Sequence, residues 1–364
     1  MRSRLCWPLI TLLPFVLTSC GGGGSSTTPI SCTPSGGISF SGSSFSFKSP
    51  TGIAVDGSNN IWVTNTGGNT VTELPASNPN APVVYSASSF HFDLPADIAI
   101  DGNNNVWITN LLNASVTEIP AGAPNSPQVH TPSVTPFFPL GIAVDNLNNV
   151  WIANQGDSSG NGSLTEISST GTVSNNPGGT SGISNPRIDA VDSSNNVWIT
   201  NTNQANVTKF IPSAPSSSQT YSATNCPLCG FIAPFGLAID GNGNVWITDN
   251  TANSVVELPF SSPTSPAVYN ASKYGFSEPS GIAVDGANNV WVVSNDGGSV
   301  TEIPNANPNN LNVFKSTGGS CTNISGTYVG IAIDGNGNVW VSNDTNDSVT
   351  EFVKAAAATT VPLR

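Results

Sequence analysis

Positive charge is what this sequence has least of. Only 9 of its 364 residues are Lys or Arg, against 22 Asp or Glu, and the formal net charge is −13. With no basic stripe to displace counterions from phosphates, nucleic-acid binding is disfavoured. Charge of either sign is sparse, at 9% of residues, and good helix formers are few, which argues against a helical architecture. Histidine occurs twice, at His91 and His130. A long apolar run is also missing: the stretch Leu5 to Leu17 is about 13 residues, short of the ~20 that a helical bilayer span needs. What is abundant is turn material, 36 Gly and 28 Pro. Set among β-branched runs and regularly placed tryptophans, these residues predict a large all-β domain with many turns, and there is too much buriable surface for disorder.

The first residues, two arginines followed by the short apolar run and then small residues, have the plan of a secretory signal. Leu17-Thr18-Ser19-Cys20 resembles the bacterial lipobox, in which the cysteine is lipidated and becomes the mature N-terminus; ordinary cleavage with Cys20 incidental is the alternative. The expected organisation is a signal over residues 1–19 and a lipidated Cys20 with a Gly/Ser tether to residue 37. A repeat domain over 38–354 and a tail over 355–364 follow. Multiple acylation would hold such a chain on a bacterial envelope membrane, at the outer membrane or cell surface, rather than in it. Beyond Cys6 and Cys20, Cys32, Cys226, Cys229 and Cys321 remain, an even number that suggests disulfides in an exported chain and allows three connectivities. The simplest has Cys226 with Cys229 and Cys32 with Cys321. A redox-active CxxC is the alternative, but its Pro-rich setting lacks the βαβ context of such motifs.

A unit built around "NVWITN" recurs seven times, with Trp62, Trp107, Trp151, Trp198, Trp246, Trp291 and Trp340 spaced 44 to 49 residues apart. Each unit reads as strand a ("GIAVD"), a tight Asp-Gly-Asn turn, strand b with the tryptophan, an Asn/Gly turn, strand c ("TVTELP"), a Pro/Ser loop and strand d. That period and content predict a seven-bladed β-propeller of four-stranded antiparallel blades. Residues 39–41 match a strand d with no a, b or c before it, so the N-terminus is expected to close the last blade. The alternative is that "TTVPL" near the C-terminus supplies that strand. The unit resembles the NHL repeat, and its "G-N-V-W" core is similar to the repeats of virginiamycin B lyase-type propellers, over about residues 38 to 353. The latter resemblance implies metal-assisted elimination by histidine and glutamate near the channel mouth, but neither His91 nor His130 stands in a His/Glu cluster in the sequence. Gluconolactonase-like propellers, relatives in architecture, would imply a divalent cation, and no motif here marks their ligands.

Seven acids are the turn Asp of each unit, Asp56, Asp101, Asp145, Asp192, Asp240, Asp285 and Asp334, and are expected to accept turn N–H groups. Six more, Glu73, Glu118, Glu166, Glu257, Glu302 and Glu351, share one strand c position with Lys209, expected to be framework on an exposed outer face. Nine acids break the repeat: Asp93, Asp97, Asp157, Asp189, Asp249, Glu278, Asp296, Asp344 and Asp347. All fall in d-to-a lead-ins, strand termini or b-to-c turns, which share one face around the channel mouth. That acidic, Asn-rich face is the expected ligand surface for a small molecule, glycan or protein. Its candidates are Asn65, Asp97, Asn110, Asn154, Arg187, Asn201, Ser294 and Asn343. Asp189 and Asp249 are the candidates for a metal such as Ca2+ or Mg2+, with an Asp189–Arg187 ion pair as the structural alternative. The chain is thus expected to be an extracytoplasmic binding or scaffold protein; the competing class is a metal-dependent lyase or lactonase-type hydrolase.

Overall fold

A computed structural model describes residues 30–31, 37–86, 88–132, 138–155, 162–175, 183–296, 298–315, 324 and 329–359. It is all-β: seven antiparallel sheets, each built of strands a to d in hairpin order. Blade 1 comprises Pro50–Val55, Ile61–Asn65, Thr70–Leu74 and Val83–Tyr85. Blades 2 to 6 repeat it from Pro95, Pro139, Pro186, Pro234 and Pro279. Blade 7 takes strands a to c from Ile331–Ile333, Val339–Asn343 and Ser348–Phe352. Its strand d is Ile38–Ser41, which runs antiparallel to strand c with Phe40 opposite Val349, so the N-terminus supplies the closing strand. Ile30–Ser31 adds a fifth strand outside it. Each inner strand a touches the next around the ring, and that of blade 7 returns to that of blade 1. Closure leaves no open sheet between first and last blade to recruit another chain.

The turn aspartates organise each blade. Asp56 Oδ1 accepts the backbone N–H groups of Ser58 (2.8 Å) and Asn60 (2.9 Å), while Oδ2 accepts Asn60 Nδ2 (2.9 Å) and the Trp62 indole N–H (3.0 Å). The indole bond recurs in every blade, at 3.0–3.2 Å. A buried carboxylate is costly without such donors, and here each oxygen has two or more. Fixed in this way, each tryptophan packs into the next blade: Trp62 lies with Ile98, Ile100 and Ile108, and Trp340 with Ile53, Val55 and Ile61. All seven are 6% exposed or less.

A second belt ties the inner strands. Thr64 Oγ1 accepts Gly52 N–H within its own blade (2.8 Å) and donates to Ala96 O of the next (3.2 Å). Thr109, Thr200, Thr248 and Ser342 make the same crossing, the last of them from blade 7 to Thr51 O of blade 1. Strand a carries glycine where this contact is tightest: a Cβ on Gly236 would lie 2.2 Å from Ser280 O.

Strand c differs from expectation. Its acids are not on an exposed face; Glu118, Glu302 and Glu351 are buried and Glu73, Glu166 and Glu257 half-buried. The reason is register: Glu73 sits opposite Trp62, on the side packed against the neighbouring blade. Tyr85 stacks on Trp62 at 5.3 Å and donates its hydroxyl to Glu73 (2.9 Å), and Tyr269 does so for Glu257. His130 takes this place in blade 2, its ring tilted against Trp107 at 5.2 Å and its Nε2 3.4 Å from Glu118. Burial raises the Glu73, Glu166, Glu257 and Glu302 carboxyls above the usual range. It pushes Glu351 up to about 7, reinforced by Asp334; Phe40 stands there where Tyr85 and Tyr269 offer a hydroxyl in blades 1 and 5. In blade 4, Lys209 replaces the acid and reaches Asp192 at 3.4 Å.

The fourth residue of each a-to-b turn is left-handed. Five are Asn, whose side chain accepts a backbone N–H from the adjacent blade, as Asn104 does from Gly57. In blade 7 this residue is Gly337, φ 81°, and the chain's last described residues take over: Ala356 N–H donates to Gly337 O and Ala357 N–H to Asp285. A Cβ on Gly286 would lie 1.8 Å from Ala358 O. Gly286→Ala is therefore expected to expel this segment, costing about 1–3 kcal/mol and accelerating tryptic cleavage after Lys354. An unchanged melting temperature and cleavage rate would show that the segment does not dock there.

Candidate functional site

The two ends of the ring differ. Lead-in and b-to-c turn meet on one face: Thr66 and Gly67 donate to Ser49 and Lys48, Leu111 and Leu112 to Leu94 and Asp93, and Asn295 and Asp296 to Glu278 and Ser277. The a-to-b turns and c-to-d loops make the other end, joined by bonds such as Ala76 N–H to Asn60 Oδ1. Of the acids that break the repeat and whose side chains are described, Asp93, Glu278, Asp296, Asp344 and Asp347 fall in the first set, with Asp97 near the start of strand a and Asp249 at the end of strand b. Asp347 Oδ1 accepts Ser49 N–H (2.7 Å), bracing blade 7 against blade 1. Glu278 and Asp296 are exposed on neighbouring loops. Asp157 lies outside the described residues.

At the end of strand b, Asn65, Asn110, Asn154, Asn201 and Asn343 stand in register with Asp249 and Ser294, all at most 1% exposed. The structure therefore sets this ring beneath the face rather than on it. Each Asn Nδ2 donates to two strand c side chains, Asn65 to Thr70 (3.0 Å) and Thr72 (2.9 Å), so the strand c Ser/Thr pattern is what draws them inward. Asn201 Oδ1 accepts Ser184 N–H (3.0 Å). The Oδ1 atoms of Asn65, Asn110, Asn154 and Asn343, and Ser294 Oγ, have no partner among the described residues. Buried acceptors of that kind call for a water or a ligand donor.

Asp249 uses its second carboxylate oxygen to hold a loop. Its oxygens accept N–H groups from Ile232 (2.7 Å), Ala233 (3.0 Å) and Ala252 (2.9 Å). This lead-in also carries the Cys226–Cys229 disulfide. The Asp249 carboxylate is thus occupied by backbone donors, an arrangement the sequence did not disclose because two of the three, Ile232 and Ala233, are 17 and 16 residues away. Asp189 is placed by its backbone opposite Ile199, but its side chain is outside the described residues, as are Cys20, Cys32 and Cys321. The Arg187 guanidinium lies over the Phe235 ring at 4.9 Å, a cation–π contact that strand spacing alone could not reveal. Among the described residues no group of three or more His, Cys, Asp or Glu is arranged to hold a metal ion.

Asp97 stands apart. It takes the place of the strand a glycine, and its carboxylate bridges Ile98 N–H (2.9 Å) and, across the blade junction, Ile142 N–H (3.3 Å). Burial in the channel wall pushes its carboxyl up to about 6, against the opposing pull of those two N–H groups.

No protein-family model matches the chain, and no curated protein matches it in sequence. Solved structures do match. A streptogramin B lyase aligns with a TM-score of 0.70 at 14% identity, over 86% of this chain and 95% of that one. A catalytically inactive virginiamycin B lyase from Staphylococcus aureus with quinupristin aligns with the same TM-score at 15% identity, over 86% and 98%. The chain is structurally related to virginiamycin B lyase-like propellers. At this identity the kinship is one of fold alone. The extracellular domain of a putative hybrid two component system from B. thetaiotaomicron is also similar, TM-score 0.65 at 16% identity, over 85% of this chain and 39% of that one.

The Asp97 geometry sets a pH dependence. Between the unfolded value of about 3.8 and the native value of about 6, the native state keeps a proton that the unfolded chain has released. The group's contribution is therefore fully present below pH 4 and is lost as pH rises to 6. Asp97→Asn is expected to flatten this slope and to raise stability above pH 7 by on the order of 1–3 kcal/mol, read from thermal melts at pH 4 and pH 8. An equal effect at both values would refute it.

Proposed function

We propose that the chain is an extracytoplasmic binding or scaffold module whose ligand surface is the face made by the lead-ins and b-to-c turns. The supporting observation is the partition of carboxylates. The repeating acids lie between blades, with the seven turn aspartates hydrogen-bonded there, whereas the acids that break the pattern and whose side chains are described gather towards one end, with orphaned amide acceptors beneath the face. A propeller frame needs no such asymmetry, and irregular residues on loops over a regular scaffold are the usual mark of recognition. The acidic character favours cationic or hydrogen-bonding ligands. The metal-dependent lyase or hydrolase alternative gains no ligand set from the described residues.

Native mass spectrometry of protein purified from its own membranes tests this reading. A bound molecule is expected that is lost in the triple variant Asp97→Asn, Glu278→Gln, Asp296→Asn. Retention by the folded variant would remove this part of the face from consideration. Attachment to a bacterial envelope membrane through Cys20 belongs to the same proposal and rests on the lipobox-like Leu17–Cys20. Replacing Cys20 by Ala should move the protein from the membrane fraction to the soluble one, and membrane retention would contradict the anchor.

A further inference from the structure

Three lead-ins share the pattern aromatic-x-Phe-x-x-Pro: Phe45–Pro50, Phe90–Pro95 and Tyr274–Pro279. In each the two rings stack, at 5.4, 5.3 and 5.9 Å, and the residue between them is left-handed, Ser46 (φ 52°), His91 (φ 53°) and Gly275 (φ 70°). Blade 2 departs from the other two. Phe47 and Phe276 are buried, but Phe92 is half-uncovered. Beside it opens a cleft of about 490 Å3 at the rim between blades 1 and 2, lined among others by Asn69, Thr70, His91, Phe92, Asp93 and Asn113. That volume falls within the ~300–1,000 Å3 of small-ligand sites.

The groups have assignable capacities. Asn113 is largely committed to the frame, one N–H donating to His91 O and its Oδ1 accepting from Ser115 Oγ (2.6 Å), which leaves one N–H. Asn69 Oδ1 accepts Leu94 N–H (2.9 Å), which leaves its NH2 to donate; Thr70 Oγ1 accepts from Asn65, which leaves its O–H to donate. Asp93 offers acceptors, His91 one donor and one acceptor when neutral, and Phe92 an apolar ring. The cleft thus mixes donors, acceptors and one aromatic face. The carboxylate and the net charge of −13 disfavour an anion, and the polar lining disfavours an apolar molecule.

We propose that this rim cleft binds an uncharged saccharide, with Phe92 under a pyranose face and Asn69, Thr70, His91 and Asp93 on its hydroxyls. The proposal rests on and deepens the reading of this face as the ligand surface by naming a class and a place, and it draws on Asp93 alone of the acids gathered there. His91 occupies a left-handed position that Gly275 fills in blade 6, so the backbone does not require an imidazole there.

Blade 6 also supplies the control. His91→Gly with Asp93→Ser turns the blade 2 lead-in into the Gly275/Ser277 pattern, which the same fold accommodates. Maltotriose, cellotriose, chitotriose and mannotriose would be titrated into the full chain by calorimetry and saturation-transfer NMR. Binding of at least one is expected, weakened tenfold or more in the double variant, with the melting temperature kept. No binding of any of the four to the wild type, or equal binding to both proteins, would overturn the proposal. The acids altered in the native mass spectrometry test are untouched here, so failure of the cleft is distinguishable from failure of the face.

Discussion

A buried carboxylate held by two backbone N–H groups, a side-chain amide and an indole N–H is the contact from which the rest of this molecule follows. It closes the a-to-b turn, fixes the first residues of strand b and aims the tryptophan across the blade junction. Sevenfold use of it makes the inter-blade core a set of similar indole wedges, each seated among β-branched side chains of the next sheet. Loss of a single acceptor oxygen would leave donors unmet in a dry setting, where an unmade bond costs more than a made one gains.

With that frame fixed, variation is concentrated in what lies above it. The hydroxyl belt shows how local exceptions are absorbed. Blades 3 and 6 carry Ala153 and Val293 where the others have Thr or Ser, and their junctions rest on the apolar wedge instead. Asp249 shows the opposite tendency. A second anionic oxygen in place of an amide lets one lead-in be gripped at Ile232 and Ala233, with the disulfide stiffening the same loop. Grip of this kind lowers the ordering cost of any contact the loop makes.

Much of the architecture was legible in the sequence because its signals are local. The Asp-to-Trp spacing of six, the Asp-Gly turns and the unmatched strand at residues 39–41 all act within a unit or repeat across units. The strand c glutamates were misplaced because their side is set by pairing with strand b and by the neighbouring blade, which no single unit displays. The b-terminal asparagines were placed in register but not in depth: whether an amide faces solvent or strand c depends on the Ser or Thr five to eleven residues onward. The cleft beside Phe92 was invisible for a similar reason, since it arises from an aromatic less covered than its two equivalents.

Closure by Ile38–Ser41 against Ser348–Phe352 pairs residues about three hundred positions apart. A chain made from its N-terminus must therefore keep one edge of that early strand, the edge away from Ile30–Ser31, open until its last blade emerges. Contacts of such sequence separation slow folding, and the waiting edge is a place where premature pairing with another chain would compete. Phe40, stacked on the Trp340 indole, is the side chain that couples this late pairing to the same indole wedge that holds every other blade.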